Sequence, residues 1–183
     1  YILMPDPSHL FLGHFNGSKT GKVLMIKTRL VLTFFVLLIT LIGPAFGQDG
    51  HALQVTGSQS ETIHLNLEEL DALAQTEFAT STIWSSGEIH FSGVSVKALL
   101  KYLQFKGNNI EMKALDGYAV SMPIADLEDN APIISTRLNG EIMSIRRNGP
   151  YWVVFPYDSD PKYQTEVNFA RSIWQLTHIR VVD

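Results

Sequence analysis

The sequence predicts an α+β fold, and two patterns of apolar residues support this prediction. Within residues 110–182, several short segments alternate apolar with polar residues, which is the period of a half-buried strand. Two other stretches, 67–74 and 96–103, carry apolar residues at the spacing of one helix face. Several strands, with two or three helices set at one side, indicate the α+β class. No internal repeat interrupts this organisation.

The first 47 residues are expected to lie outside the folded domain. The chain begins with Tyr1, so we expect residues 1–24 to be a non-native upstream translation or a fragment, with Met25 as the better start. Residues 25–47 have the layout of a signal peptide, with basic residues, an apolar run and a small-residue end. The alternative is an uncleaved anchor helix, although the apolar run is short of the roughly 20 residues that a membrane span needs. We therefore expect a periplasmic or secreted protein with no stable membrane span after signal cleavage.

Residues 48–183 are the predicted domain, which is acidic and free of cysteine. They contain 10 Lys and Arg residues against 17 Asp and Glu residues, a net charge near −7. This surface is a poor match to nucleic acid, whose phosphates need clustered cations. Because the chain has no cysteine, a thiol nucleophile, a thiolate metal ligand and a redox dithiol are all excluded. The length suits a single compact domain.

The first half of the domain is predicted to begin with two short strands and a capped helix. The strands are expected at residues 54–56 and 62–65, on either side of a Gly-Ser turn. Asn66, followed three residues later by Glu69, has the pattern of a capping box at a helix start. Residues 78–84 are rich in Thr, Ile and aromatic side chains, which favours a strand.

A turn and a second capped helix follow this strand. Ser85-Ser86-Gly87 is expected to break the strand, and residues 88–91 form a short extended piece. Ser95 is placed to cap a helix, which ends before Gly107-Asn108.

The second half is predicted to be mainly β. Its strongest signal is Asn139-Gly140, a two-residue hairpin turn between strands at 133–138 and 141–145. Pro123 is expected to open a short helical turn. The remaining strands are predicted around residues 110–114, 118–122, 151–155 and 174–182.

Metal-binding and nucleophile motifs are weak in this chain. The histidines of the domain are isolated, and none pairs with another at the spacing of one helix face; they are His51, His64, His90 and His178. Asp158-Ser159-Asp160 resembles the start of a calcium loop but lacks the later ligands, so an acidic turn is predicted. Ser85 or Ser86 would be reactive only beside a base such as His90, whereas serines next to glycine are usually turn formers.

Three arginines around the predicted hairpin leave two interpretations open. Arg137, Arg146 and Arg147 would suit a phosphate, because a guanidinium binds phosphate through two parallel hydrogen bonds. Alternatively, they pair across the strands with Glu141 and other acids. Aromatic residues near turns, such as Trp84 and Tyr118, are placed where a ring can line a pocket, although core packing is the usual role of such residues.

The order of several segments resembles a known family. "FSGVSVKALL" (91–100), "ALDGYAVSMP" (114–123), "PIISTRLNGEIM" (132–143) and "RRNGPYWVVFP" (146–156) are similar to the oxidoreductase molybdopterin-binding domain of the sulfite oxidase type. "SIWQLTHIRVV" (172–182) looks like the final strand of that domain. The resemblance spans nearly all of residues 48–183 and is strongest for the small, standalone, exported version. It implies a mixed β-sheet fold of the sulfite oxidase type.

The resemblance also identifies a departure from the family. Members hold a pterin whose dithiolene sulfurs bind molybdenum, and a cysteine thiolate is a further metal ligand. That cysteine maps to Thr80–Thr82, where only hydroxyl side chains stand. A hydroxyl is a hard, weakly acidic donor and a poor replacement for a thiolate. The oxygen-atom transfer of the family would therefore be badly impaired.

Three functions follow as alternatives. The first is a non-catalytic module that binds a small ligand or a periplasmic protein partner, with no cofactor. The second is a molybdopterin-dependent oxidoreductase that acts with a partner subunit or a non-cysteine ligand. The third is an interaction protein that pairs through a sheet edge. No catalytic residue and no metal ligand is predicted. The candidate residues of a ligand pocket are Thr80, Ser81, Thr82, Trp84, Ser85, Tyr118, Arg137 and Arg147.

Overall fold

The computed structural model describes residues 52–183. The predicted upstream segment 1–24, the signal peptide 25–47 and His51 lie outside the described residues. Within 52–183, no helix is both long enough and apolar enough to cross a membrane.

The described part contains ten strands and three α-helices. In chain order they are β1 (Leu53–Thr56), β2 (Thr62–Leu65), α1 (Leu67–Asp71), β3 (Gln75–Ser81), β4 (Glu88–Ser95), α2 (Val96–Tyr102), β5 (Asn109–Ala114), β6 (Ala119–Pro123), β7 (Ile133–Leu138), β8 (Glu141–Ile142), β9 (Trp152–Val154), α3 (Glu166–Arg171) and β10 (Leu176–Val182).

Two sheets organise these elements. The first sheet has the order β2-β1-β10-β5-β6, and it is mixed because β1 pairs parallel to β10 while its other pairs are antiparallel. The first and last strands of the described residues therefore lie in the same sheet. Turns join β5 to β6 and β1 to β2, whereas β10 returns from the far end of the sequence to the middle of the sheet.

The second sheet is antiparallel and has the order β3-β4-β7-β8. β8 pairs with the last residues of β7, and β9 pairs with Ile133–Ser135 at the other end of β7. β8 and β9 thus occupy successive parts of the same edge of β7, because β4 takes the opposite edge. A single 3₁₀ turn, Ile145–Arg147, lies between the two strands.

The local signals for helix starts and for the hairpin are confirmed. Asn66 and Glu69 form both bonds of the capping box, since each side chain accepts from the backbone N–H of the other residue. The Ser95 side chain accepts from the Ala98 N–H at the start of α2. Asn139 and Gly140 both have positive φ, as a two-residue hairpin turn requires.

Several boundaries differ from the sequence predictions. The strand predicted over residues 78–84 runs instead from Gln75 to Ser81, so Trp84 lies in the turn that follows. The extended piece predicted at 88–91 continues to Ser95, because β3 pairs with residues 88–94 of β4 and β7 pairs with residues 91–95. α3 was not predicted. Thr165 caps it, but its only large apolar side chains are Val167 and Phe169.

One hydrophobic core joins both sheets. It includes Leu53 and Ile179 from the first sheet and Phe91, Ile133 and Val153 from the second, all fully buried. The described residues therefore form a single compact α+β domain with mixed sheet topology, as predicted.

Candidate functional site

A hydroxyl-rich turn between β3 and β4 presents Trp84 at the surface. The Thr82 hydroxyl accepts from the Trp84 N–H at 3.2 Å and lies 2.7 Å from the Ser85 hydroxyl. These local hydrogen bonds replace the strand pairing that stops at Ser81. The turn leaves Trp84 37% exposed, which is unusual for an indole that also packs against the core.

Trp84 forms one wall of a pocket of about 350 Å³. The pocket lies between the β3–β4 turn, the end of β5 with the turn that follows it, and the segment from α3 to β10. Its lining is mostly apolar and consists of Trp84, Ala114, Asp116, Tyr118, Phe169, Ala170, Ser172, Ile173 and Trp174. This volume is at the lower end of the range of small-molecule sites.

Aromatic rings give the pocket its shape. The centroid of Trp84 lies 6.0 Å from that of Phe169 and 5.7 Å from that of Trp174, with ring planes inclined at 86° and 82°. Trp84 also contacts the buried Trp152 edge to face, at 6.0 Å. Such perpendicular pairs contribute about 0.5–1.5 kcal/mol each beyond the burial of area. The walls are therefore stiff, although they stand partly exposed to solvent.

The opposite wall is fixed by hydrogen bonds of Tyr118 and Asp116. Tyr118, 47% exposed, donates its hydroxyl to the Ala170 carbonyl oxygen at 3.0 Å, which connects the β5–β6 turn to α3. Its N–H donates to Asp116 Oδ1 at 2.9 Å. The Ser172 hydroxyl donates to the Asn168 carbonyl oxygen, so its hydrogen is already used within the protein. No residue in 52–183 forms a salt bridge with Asp116.

The hydroxyls at the end of β3 hold a neighbouring loop. Thr80 is fully buried, and its Oγ1 accepts from the Asp158 N–H at 3.0 Å. In return, the Ser81 N–H donates to Asp158 Oδ2 at 2.6 Å. This backbone donor, more than any other group, lowers the pKa of the Asp158 carboxyl. The acidic turn predicted at 158–160 is thus clamped to the strand next to the pocket.

Two of the three arginines near the hairpin are paired with carboxylates, whereas Arg146 forms no salt bridge within residues 52–183. Arg137 donates to both oxygens of Asp71 at 2.6 Å, and this hydrogen bonding raises the pKa of its guanidinium. Arg147 lies 3.6 Å from Glu141, with both side chains exposed. Neither arginine is among the residues that line the aromatic pocket. Of the two interpretations left open by the sequence, the geometry favours pairing with acids.

The predicted pocket residues therefore fall into four pairs. Trp84 and Tyr118 line the same pocket, and Thr82 and Ser85 shape the turn that carries Trp84. Thr80 and Ser81 bond to Asp158, and the two arginines lie elsewhere. Whether any of these residues binds a ligand stays a prediction.

Sequence reasoning missed most of the pocket wall formed after residue 165. Phe169 and Ala170 lie in an unpredicted helix, and Ser172 follows its last residue. Trp174 was assigned to a closing strand that begins only at Leu176. Thr165 before Glu166 was an available signal for the helix start, since Thr is a common N-cap residue. No local signal could have shown that Trp174 meets Trp84, which lies 90 residues earlier.

Comparisons with known proteins agree with this architecture. The sequence model described as "Oxidoreductase molybdopterin binding domain" matches residues 42–159. Among solved structures, the sulfane dehydrogenase SoxCD from Paracoccus pantotrophus is similar, with a TM-score of 0.56 and 15% identity over 73% of this chain. This chain spans only 38% of the SoxCD chain, and at this identity the likeness concerns the fold alone. No curated protein matches the sequence.

The donor set at the end of β3 does not fit a molybdenum centre of the family's kind. Thr80 uses its hydroxyl to hold the Asp158 N–H, and Ser81 and Thr82 carry the same hard, protonated donor. In the described residues, no three His, Asp or Glu side chains are grouped closely enough to hold a metal ion. Phe169 and Trp174, which complete the aromatic pocket, lie beyond the residues that the family model matches.

Proposed function

Because the chain belongs to the oxidoreductase molybdopterin-binding domain family, we propose that it is a non-catalytic member that binds a small ligand. The ligand site is the aromatic pocket between Trp84, Tyr118 and Trp174. In this proposal the family scaffold is retained, and the thiolate-dependent redox chemistry is absent. We also propose that the domain works outside the cytoplasm, after removal of the segment 25–47.

The pocket itself is the observation that carries this proposal. Trp84, 37% exposed, is held by three perpendicular or edge-on aromatic contacts, and together with Tyr118, 47% exposed, it forms part of a concave, mostly apolar surface. A concave apolar surface with a few polar groups is the usual form of a small-molecule site. The pocket is preformed, because the Tyr118 hydroxyl bond to Ala170 closes it from one side. A preformed site lowers the ordering cost of binding.

The donor chemistry at the end of β3 supports a role without molybdenum. The Thr80 hydroxyl and the Ser81 N–H both make hydrogen bonds with Asp158. Binding of a metal at this end of β3 would disturb these hydrogen bonds. The alternative is a molybdopterin-dependent oxidoreductase that uses a partner subunit or another ligand. Family membership is the observation that favours this alternative.

Elemental analysis separates the two functions. The full chain is purified from a host that makes molybdopterin, and molybdenum is measured together with pterin fluorescence after oxidation. We expect neither at stoichiometric levels. One molybdenum and one pterin per chain would overturn the proposal and establish the alternative.

Ligand binding is then tested by intrinsic fluorescence. The chain has 3 tryptophans, and both Trp84 and Trp174 line the pocket, so occupancy should change the emission. A panel of cationic, neutral and anionic organic solutes is screened against the full chain and against Tyr118→Ala. Tyr102→Ala is the matched control, because Tyr102 is an exposed tyrosine of α2 that does not line the pocket. We expect Tyr118→Ala alone to weaken binding. If Tyr102→Ala weakens it equally, or no solute binds at all, the pocket is not the site.

A further inference from the structure

We infer that the aromatic pocket selects small organic cations, of the methylated ammonium type. This inference rests on the proposed function, because it names the ligand class of the same site. Three properties of the lining residues support it: their negative charge, the arrangement of their aromatic rings, and the hydrogen bonds that their hydroxyl groups already make within the protein.

The charge of the lining is negative. Asp116 is the only residue with a formal charge among those that line the pocket, and no Lys or Arg lines it. Arg171 and Lys113 are each next in sequence to a lining residue. Arg171 is bound to Asp126 at 3.0 Å and is mostly buried, and Lys113 lines a different pocket, on the first sheet. Asp116 has no salt-bridge partner in the described part of the chain, so its charge is available to a ligand. An anionic ligand such as a phosphate ester would meet this carboxylate without a compensating cation.

Four aromatic rings provide the surface that such a cation prefers. Trp84, Tyr118, Phe169 and Trp174 all line the pocket, and Trp84 stands nearly perpendicular to both Phe169 and Trp174. Walls at right angles allow a compact cation to approach more than one ring. A quaternary ammonium ion is attracted by the negative face of each ring and needs no hydrogen bond.

The hydroxyl hydrogens of the pocket are already used in hydrogen bonds within the protein, so they are not available to a ligand that needs a donor. Tyr118 donates its hydroxyl to the Ala170 carbonyl, and Ser172 donates its own to the Asn168 carbonyl. Ser172 also lies in a short contact with the Tyr157 hydroxyl. A ligand group that needs a hydrogen-bond donor would have to displace these bonds, whereas a methylated ammonium ion needs no donor and would leave them intact.

Choline and its neutral carbon isostere, in which carbon replaces the nitrogen, test the inference. The two have the same shape, so the ratio of their dissociation constants measures the preference for positive charge. Binding to the full chain is followed by tryptophan fluorescence and by isothermal calorimetry. We expect choline to bind more tightly than the isostere by about 5- to 30-fold, the range of a desolvated cation–π contact.

Two variants locate the selectivity. Asp116→Asn keeps the acceptor for the Tyr118 N–H and removes the charge, so choline should bind about two- to fivefold more weakly while the isostere is unaffected. Trp84→Leu should remove most of the preference for choline. Asp129→Asn is the matched control, because it removes one exposed acidic charge outside the pocket and should change neither ligand.

The outcomes distinguish this inference from the proposed function. Equal binding of choline and the isostere, or tighter binding of an anionic solute, would overturn the inference while leaving a ligand-binding pocket. A selectivity ratio unchanged in Asp116→Asn and in folded Trp84→Leu would place the cation elsewhere and would also overturn it. Stoichiometric molybdopterin would defeat the proposed function itself. Binding to phosphatidylcholine vesicles more tightly than to free choline would identify the cation as a lipid headgroup.

Discussion

The ion pair between Arg137 and Asp71 connects α1 to the second sheet, and its removal should be measurable. Arg137 donates through two nitrogens to the two Asp71 oxygens, both at 2.6 Å. The side chains are 28% and 31% exposed, so the pair is neither buried nor freely solvated. It joins residues 66 positions apart, which makes it a tertiary contact.

The expected magnitude follows from this intermediate environment. Exposed pairs contribute about 0.2–1 kcal/mol, and hydrogen bonds to charged groups contribute about 1.5–3 kcal/mol when they are shielded from water. A bidentate pair with roughly a third of its surface exposed should lie between these limits. We therefore expect a coupling free energy of about 1.5 kcal/mol between Arg137→Met and Asp71→Asn.

A double-mutant cycle measures this coupling. The wild type, both single variants and the double variant are unfolded in urea and followed by tryptophan fluorescence. The matched control is the pair Arg147 and Glu141, which lie 3.6 Å apart and are 72% and 77% exposed. Arg147→Met should leave the unfolding midpoint unchanged. Equal coupling in the two pairs, or a value near zero for Arg137 and Asp71, would refute this reasoning.

Three further predictions concern the fold around the pocket. Thr80→Val should lower the free energy of unfolding by about 1–3 kcal/mol, because the Asp158 N–H loses its acceptor. Thr80→Ser keeps a hydroxyl acceptor and should recover most of the lost stability. Equal urea midpoints for the two variants would contradict a role of this hydrogen bond. Gly93→Ala should prevent normal folding, because the added Cβ would lie 2.7 Å from the Ser135 Cα. A native circular dichroism spectrum with an unchanged melting temperature would contradict this prediction and would show that β4 and β7 can move apart. Burial raises the pKa of Tyr157 to about 12, so its contribution to stability is complete below pH 10 and is lost as the pH rises towards 12. Urea unfolding from pH 9 to 12 should therefore show a steeper loss in the wild type than in Tyr157→Phe, and parallel curves would exclude this effect.

Local features of the fold were predictable because a few neighbouring residues decide them. The capping box of Asn66 and Glu69, the Ser95 cap and the Asn139-Gly140 turn each depend on bonds within three or four residues. The family was also predictable, since the order of its segments is a property of the sequence. The sequence likewise determined that no thiolate is available to a metal.

The end of β3 was harder to predict for a physical reason. Residues 78–84 have the composition of a strand, but β4 and the Asp158 loop provide the hydrogen bonds that end the strand at Ser81. Strand propensity depends on such partners more than helix propensity does. The sequence placed Trp84 beside a turn but could not show which side of the chain it would face.

Only the tertiary structure decided what surrounds Trp84 and which partners the arginines take. Phe169 and Trp174 come from a segment in which no helix was predicted. Both pack against the shared core, and there they meet Trp84 of the β3–β4 turn. Arg137 likewise pairs with Asp71 across 66 residues. Contacts of this kind depend on packing of the whole domain, and no pattern in a short stretch of sequence contains them.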